Sequence, residues 1–188
     1  MMERRNPPME PDTSEASARQ LELAREQGQA YGRALVHMTD EVADDGGEQA
    51  AGEYLVGYAV EEAEGMYHWV DGDLQWHGPG EDNAHLEVTV RDAGDGRFVP
   101  GARVTVTVVD ASGNEVGSHE HPLLWHPMLY HYGRNWRLPE DGEYTLRIRV
   151  DPPTFHRHDE VNGHRFTDPV DVEFTGVSIE LGREDPLS

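Results

Sequence analysis

Between residues 119 and 133 the chain reads H-E-H-P-L-L-W-H-P-M-L-Y-H-Y-G, which gathers His119, His121, His126, His131 and Met128 into one short stretch. No other part of the sequence is as dense in metal-ligating groups. Imidazole and thioether suit copper, and imidazole also suits zinc and iron. A second stretch, F-H-R-H-D-E-V-N-G-H over residues 155 to 164, adds His156, His158 and His164. A third fragment, His85-Leu86-Glu87, lies in an alternating apolar pattern. The expectation is that these three fragments meet and hold one metal.

Each fragment has its own chemistry. His85 and Glu87 are two apart in a strand pattern, so they share a face with side chains roughly 7 Å apart along the pleat. Polar residues on the exposed face of an edge strand are the ordinary alternative for this pair. Pro122 and Pro127 make residues 119 to 133 read mostly as loop, a natural carrier of ligands on a rigid scaffold. His131 is read as fixed by a tight turn at Tyr132-Gly133. His119 and His121 read as surface residues at a strand end. In the second stretch Asp159 can orient the His158 imidazole from behind. No nucleophile elbow, Gly-rich phosphate loop or helix-borne zinc protease motif is present, so the chain does not read as an enzyme.

The elements that must position these groups are mainly strands. Tyr54 to Val60 is apolar. Met66 to Val70 and Leu74 to His77 flank Asp71-Gly72, a two-residue hairpin signal. Ala84 to Arg91 alternates strictly, and so do Val104 to Val108, Tyr144 to Val150 and Val170 to Leu181, the last with a bend at Gly176. This pattern of short strands and regular turns predicts an immunoglobulin-like antiparallel β-sandwich. Ahead of it, Ser14 to Val42 reads as a helix capped by Asp12, Thr13 or Ser14. Leu21, Ala24, Gly28, Tyr31, Leu35 and Met38 give it one narrow apolar stripe, which docks on the domain or on a second copy. The expected organisation is a disordered N-terminus at 1–13, a helical extension and linker at 14–52, the metal-binding domain at 53–182, and a tail at 183–188.

Composition narrows the partners. The net charge is -22, from 37 acidic and 15 basic residues, and every basic one is Arg. Nucleic acid is excluded as a partner because its phosphates would be repelled. An acidic excess with no Lys reads as adaptation to high salt, where screening removes the self-repulsion. With no Cys, disulfides and thiolate sites are ruled out. No stretch reads as a membrane span. The sequence starts M-M-E-R-R-N-P-P-M-E, with no apolar run after the Arg pair, so it reads as cytoplasmic.

From Glu53 to about Leu181 the sequence resembles the periplasmic iron-transport family. These are copper-binding, immunoglobulin-like, dimeric proteins that work beside ferrous iron permeases. The matching fragments keep the family's order: Gly65-Met66, H-L-E at 85 to 87, P-M at 127 to 128, H-Y-G-R-N at 131 to 135, D-G-E-Y-T-L at 141 to 146, P-P at 152 to 153 and R-H-D at 157 to 159. The resemblance implies a copper site, with iron as a second candidate ion, built from Glu87, Met128, His131 and His158, with His85 as an accessory ligand. It also implies a homodimer and an iron permease as partner. Only Leu129 and Tyr130 separate Met128 from His131, fewer residues than in the family, which makes His126 the alternative to Met128. Met66 is a further candidate ligand. Two other readings use the same fold: a zinc or nickel storage or sensor module, and a metal-free interaction domain. Metal binding through these imidazoles is expected to weaken as pH falls through about 6.5.

The charge carries its own test. Unscreened repulsion acts over roughly 10 Å or more in dilute buffer, so the melting temperature should fall sharply between molar and low-millimolar salt. An unchanged melting temperature would argue against salt adaptation.

Overall fold

A computed structural model describes residues 9–184. Its first regular element is α1, Ala18–His37, which runs on into one π-helical turn over Met38–Val42. The helix starts later than the sequence suggested because Ser17 and Gln20 form a capping box: the Gln20 N–H donates to the Ser17 hydroxyl, and the Ser17 N–H donates to the Gln20 side chain. The expected disorder of residues 1–13 falls largely on residues outside the described range.

Residues 43–52, expected as linker, instead contain a strand, β1 (Asp45–Ala51), paired antiparallel with β2 (Tyr54–Glu61). Its sequence, D-G-G-E-Q-A-A, has no apolar alternation to reveal it. The pairing is supplied by the β2 edge, which would otherwise expose its backbone groups. Then come β3 (Met66–Val70), β4 (Asp73–His77), β5 (Ala84–Asp92), β6 (Arg103–Val109), β7 (Glu115–His121), β8 (Leu123–Trp125), β9 (Tyr130–Trp136), β10 (Gly142–Asp151) and β11 (Val170–Ile179).

The strands form two main antiparallel sheets, ordered β1-β2-β5-β9-β8 and β11-β10-β6-β7, with β3-β4 as a separate hairpin. Alternation places Val56, Val60, Leu86, Val88 and Tyr132 of the first sheet against Val104, Val106, Leu146, Ile148 and Val172 of the second, and all belong to one buried core. This is the expected mainly β, antiparallel fold with an N-terminal helix. The Asp71-Gly72 hairpin turn forms as read, with φ of 51° and 92° at its two central residues. The bend at Gly176 is a bulge: its φ is 69°, and the β10–β11 register shifts between Tyr144 and Leu146.

The 119–133 stretch differs most from expectation. It is not loop but three consecutive strand segments, with only Pro122 and the turn at 126–129 between them. Tyr132-Gly133 is no turn; it lies mid-strand in β9. Tyr132 pins that strand by donating its hydroxyl to Val99 O at 2.9 Å and accepting from the Ala102 N–H at 3.0 Å.

The helical stripe docks on its own domain. Leu21, Ala24 and Gly28 are buried, and the Tyr31 ring stacks on Phe98 with centroids 5.5 Å apart. Gly28 is the contact point: a Cβ there would sit 1.8 Å from Asp95 O. Gly28→Ala should therefore destabilise the fold by about 1–3 kcal/mol through overpacking, although in an open helix it would add up to about 1 kcal/mol. Urea unfolding of the variant checks the sign; a stabilised variant would mean that α1 does not dock this way.

Candidate metal centre

Strand β5 is central, not an edge. It pairs with β2 on one side and β9 on the other, and its alternation sends Leu86, Val88 and Val90 into the sandwich core. His85, Glu87 and Thr89 therefore point to the opposite face, and all three are buried there. The register decides what lies around them. Glu87 is flanked by Ala59 of β2 and Gly133 of β9, and His85 by Glu61 and Asn135. The two small residues beside Glu87 leave room above the sheet. His131 reaches the same face from β9, with Leu124 of β8 opposite it in the ladder.

The result is a compact polar cluster. Donor atoms of His85, Glu87 and His131 all lie within 4.8 Å of one another, and so do those of Glu61, Glu64 and Glu87. His131 Nε2 stands 3.1 Å from Glu87 Oε1. His85 Nε2 stands 3.9 Å from the same oxygen and 3.3 Å from Glu64 Oε1. These contacts are close but not aligned as hydrogen bonds: His85 Nε2, both His131 ring nitrogens and Glu61 Oε1 are buried without a hydrogen-bond partner. Unpaired buried polar atoms are costly, and a shared cation is the economical way to satisfy several at once.

The supporting residues aim the donors inward. Asn135 Oδ1 accepts from the Glu64 N–H, and its Nδ2 donates to Glu64 O at 2.7 Å, which fixes the amide orientation. Its Oδ1 is then the acceptor for a proton on His85 Nδ1, at 2.9 Å. That tautomer leaves a lone pair on His85 Nε2, facing the cluster. Gly133 keeps the cluster open, since a Cβ there would lie 2.9 Å from His85 Nε2 and 2.8 Å from Leu124 Cδ1.

Burial sets the charge states. Desolvation pushes the Glu87 carboxyl up to about 9, helped by the nearby Glu61 and Glu64 carboxylates. Glu61 and Glu64 rise to about 7 for the same first reason. Desolvation pushes His85 down to about 4 and His131 down to about 3. The short His131–Glu87 contact is therefore a neutral imidazole beside a protonated carboxyl, not an ion pair. Two neutral imidazoles and a carboxyl with a displaceable proton form a ready nitrogen–oxygen ligand set for a divalent transition metal.

Of the sequence candidates, the fold brings His85, Glu87 and His131 together. It places His126 beside them, with its ring centroid 6.4 Å from that of His131. The Met128 N–H donates to His126 Nδ1 at 3.1 Å, which puts the ring proton on Nε2, so His126 can serve as a metal donor only after that hydrogen bond is released or the tautomer changes. Met128 itself sits in the β8–β9 turn with 37% exposure, and Leu124 is an apolar side chain that packs beside His85 and His131 over Gly133. Met66 lies on the β3–β4 hairpin. His158 is not with the cluster. Its side chain is 89% exposed, near Glu15 at the start of the α1 segment, whereas the cluster lies near Gly32 and Leu35. At 1.5 Å per helical residue those places are roughly 25 Å apart. Asp159 does not orient His158 either: it accepts from the Thr13 hydroxyl and from Asn162, and so ties the 155–164 loop to the segment ahead of α1.

His119 and His121 are structural. His119 packs against Trp136 with centroids 4.7 Å apart and the rings tilted by 55°, and His121 is buried with its Nε2 accepting from Trp136 Nε1 at 3.1 Å. The sequence reading missed Glu61, Glu64, Asn135 and the role of Gly133. The E-E-A-E run at 61 to 64 was the available signal, but an acidic run in so acidic a chain does not stand out.

A polar, imidazole- and carboxylate-bearing face on a helix-covered immunoglobulin-like sandwich defines a metal-site scaffold. Sequence comparison then assigns it: the chain belongs to the Fe2+ transport protein family, whose profile matches residues 49–178. No curated protein sequence matches it. Among solved structures, FetP of uropathogenic Escherichia coli is similar at 19% identity and TM-score 0.59, over 71% of this chain and 93% of that one. Copper-reconstituted P19 of Campylobacter jejuni is similar at 14% identity and TM-score 0.61, over 73% of this chain and 96% of that one. A copper-bound variant of FetP aligns at 18% identity and TM-score 0.60, over 76% and 96%. These likenesses agree with the fold. Among the described residues no helix is long and apolar enough to cross a membrane.

The raised carboxyls predict an unusual pH dependence for the metal-free chain. Glu87 holds its proton up to about 9 when folded, against an ordinary value of 4.5. Its contribution to stability is complete below that ordinary value and is lost as pH rises through the folded one. The melting temperature of Glu87→Gln relative to the parent should therefore rise between pH 6 and 9, in the presence of a chelator. A constant difference across that range would show that Glu87 is not buried as described.

Proposed function

We propose that the chain binds a transition metal, copper and ferrous iron being the leading ions, through His85, Glu87 and His131 with His126 as a fourth donor, and assists high-affinity iron uptake. The observation that carries this reading is the group of buried, unpartnered imidazole nitrogens of His85 and His131 that converge with the Glu87 carboxyl on one face of the sheet. Family membership and copper-bound relatives of the same fold support the choice of ions and the setting. A permease partner and a homodimer belong to the same reading. The cytoplasmic placement expected from the N-terminal residues forms no part of it.

The donor set shapes the metal preference. Nitrogen and oxygen ligands beside an apolar Leu124 favour Cu(II) and Fe(II) over Cu(I), which prefers thioether or thiolate. Met128→Ala is therefore expected to change Cu(II) affinity little. His158 joins this site only if a second copy carries it there, so any effect of His158→Ala should appear only at concentrations where two chains associate.

The pH dependence expected from the sequence shifts as well. His85 and His131 are already neutral well below 6.5, so the proton that competes with metal sits on Glu87. Affinity for Cu(II), and anaerobically for Fe(II), should climb up to about tenfold per pH unit from pH 6 toward 9, with proton release measurable by titration calorimetry in two buffers. Glu87→Gln should flatten that slope. His131→Ala should remove most of the affinity, and Asn135→Ala should cost about 10–100-fold by freeing the His85 ring. Cu(II), Zn(II), Ni(II) and Fe(II) titrated side by side separate an iron-uptake protein from a zinc or nickel module. Unaltered affinity for every ion in the His85→Ala, His131→Ala double variant would sink the site.

A further inference from the structure

The β3–β4 hairpin stands apart from both main sheets, and most of its residues are exposed. An isolated two-stranded ribbon is marginally stable in water, so its side chains need a reason to be held in place. The register supplies the pattern. Met66 pairs with His77, Tyr67 with Trp76, His68 with Gln75 and Trp69 with Leu74. Alternation therefore puts Met66, His68 and His77 on one face and Tyr67, Trp69, Leu74 and Trp76 on the other.

The aromatic face stiffens the ribbon. Tyr67 and Trp76 meet edge to face with centroids 5.0 Å apart. Trp76 also lies over Gly65 at the hairpin base, where a Cβ would come 2.3 Å from its ring. The other face is thereby held in position. There the His68 and His77 rings have centroids 4.9 Å apart at 49°, and Met66 is directly opposite His77, where cross-strand Cβ atoms lie about 4.5–5.5 Å apart. None of the three belongs to the hydrophobic core.

This face borders a cleft of about 460 Å³ also lined by Glu64, Asp82, Gly133 and Asn135. Glu64, Gly133 and Asn135 adjoin the buried cluster as well, Glu64 Oε1 standing 3.3 Å from His85 Nε2. The cleft thus runs from the hairpin to the buried centre.

We propose that Met66, His68 and His77 form a second metal site, specific for Cu(I), at the mouth of the cleft that leads to the buried centre. Two imidazoles and a thioether are a soft, low-coordinate set that Cu(I) accepts and that Fe(II) and Mn(II) do not favour. The chain then carries two sites of different hardness side by side: a sulfur-bearing one at the surface and a nitrogen–oxygen one beneath. Coordination at the hairpin does not require the buried centre to be loaded.

The test is anaerobic Cu(I) competition between the full chain and bicinchoninate, followed by X-ray absorption. The parent should withdraw one equivalent of Cu(I) that survives in the His85→Ala, His131→Ala double variant and shows a sulfur neighbour. His68→Ala with His77→Ala should abolish that equivalent while leaving the Cu(II) stoichiometry of the buried centre unchanged. Met66→Leu should remove the sulfur signal. His68 and His77 are exposed and Met66 is half-buried, and circular dichroism of each variant checks that the fold is kept. Retention of the Cu(I) equivalent by the hairpin double variant, its loss in the buried-site variant, or failure of the parent to compete overturns the proposal. Loss of Cu(II) binding with the hairpin equivalent intact would instead count against the buried centre alone.

Discussion

A carboxylate and two imidazoles buried on the outer face of a central strand are the constraint on which the rest of this structure depends. Burying them costs free energy unless they are neutral or shared by a cation. The chain supplies the first, and the proposed ion would supply the second. Desolvation keeps His85 and His131 uncharged and Glu87 protonated. Small residues at Ala59 and Gly133 leave room between the donors, and Asn135 turns the His85 lone pair toward them. In the proposed metal-bound state a divalent ion would displace the Glu87 proton and satisfy the orphaned atoms together.

The cover over that face is the N-terminal extension. In a bare sandwich the outer face of the first sheet would be wet, and the shifts in carboxyl and imidazole acidity would largely vanish. Helix α1 lies across it, held by Gly28 against the Asp95 backbone and by Tyr31, whose ring stacks on Phe98. Burial pushes the Tyr31 hydroxyl upward, and the Glu87 carboxylate adds to that push, so the helix and the centre share one electrostatic environment. The extension is therefore part of the site's machinery. β1 extends the same sheet on its far edge.

In the proposed reading the hairpin and the buried cluster divide the chain's soft and borderline donors between them. Met66 stands with His68 and His77 on the hairpin, while the half-buried Leu124 lies opposite His131 in the ladder. The proteins similar in fold include copper-bound ones, yet at under a fifth identity their architecture transfers and their ligand set does not. The donors of this chain must be read from its own register.

Much of the fold was legible because it rests on local alternation. The strands at 54–60, 84–91, 104–108, 144–150 and 170–181 and the Asp71-Gly72 turn follow from periodicity and turn chemistry, which are properties of neighbouring residues. His85 and Glu87 could be set on one face by the same logic. The sequence alone could not say that β5 is central: an exposed edge strand and a helix-covered central strand share the same alternation, and only pairing with β2 and β9 distinguishes them. Nor could it find β1, whose order comes from its neighbour. Density of histidines drew attention to residues 119–133, but strand parity divided them. His131 points to the cluster, His121 to Trp136, and Met128 falls in a turn. His158 looked equivalent by composition, yet its loop is tied to Thr13 at the opposite end of α1. Ligand sets are assembled from residues distant in the chain, and their convergence depends on register and docking, which no local pattern encodes.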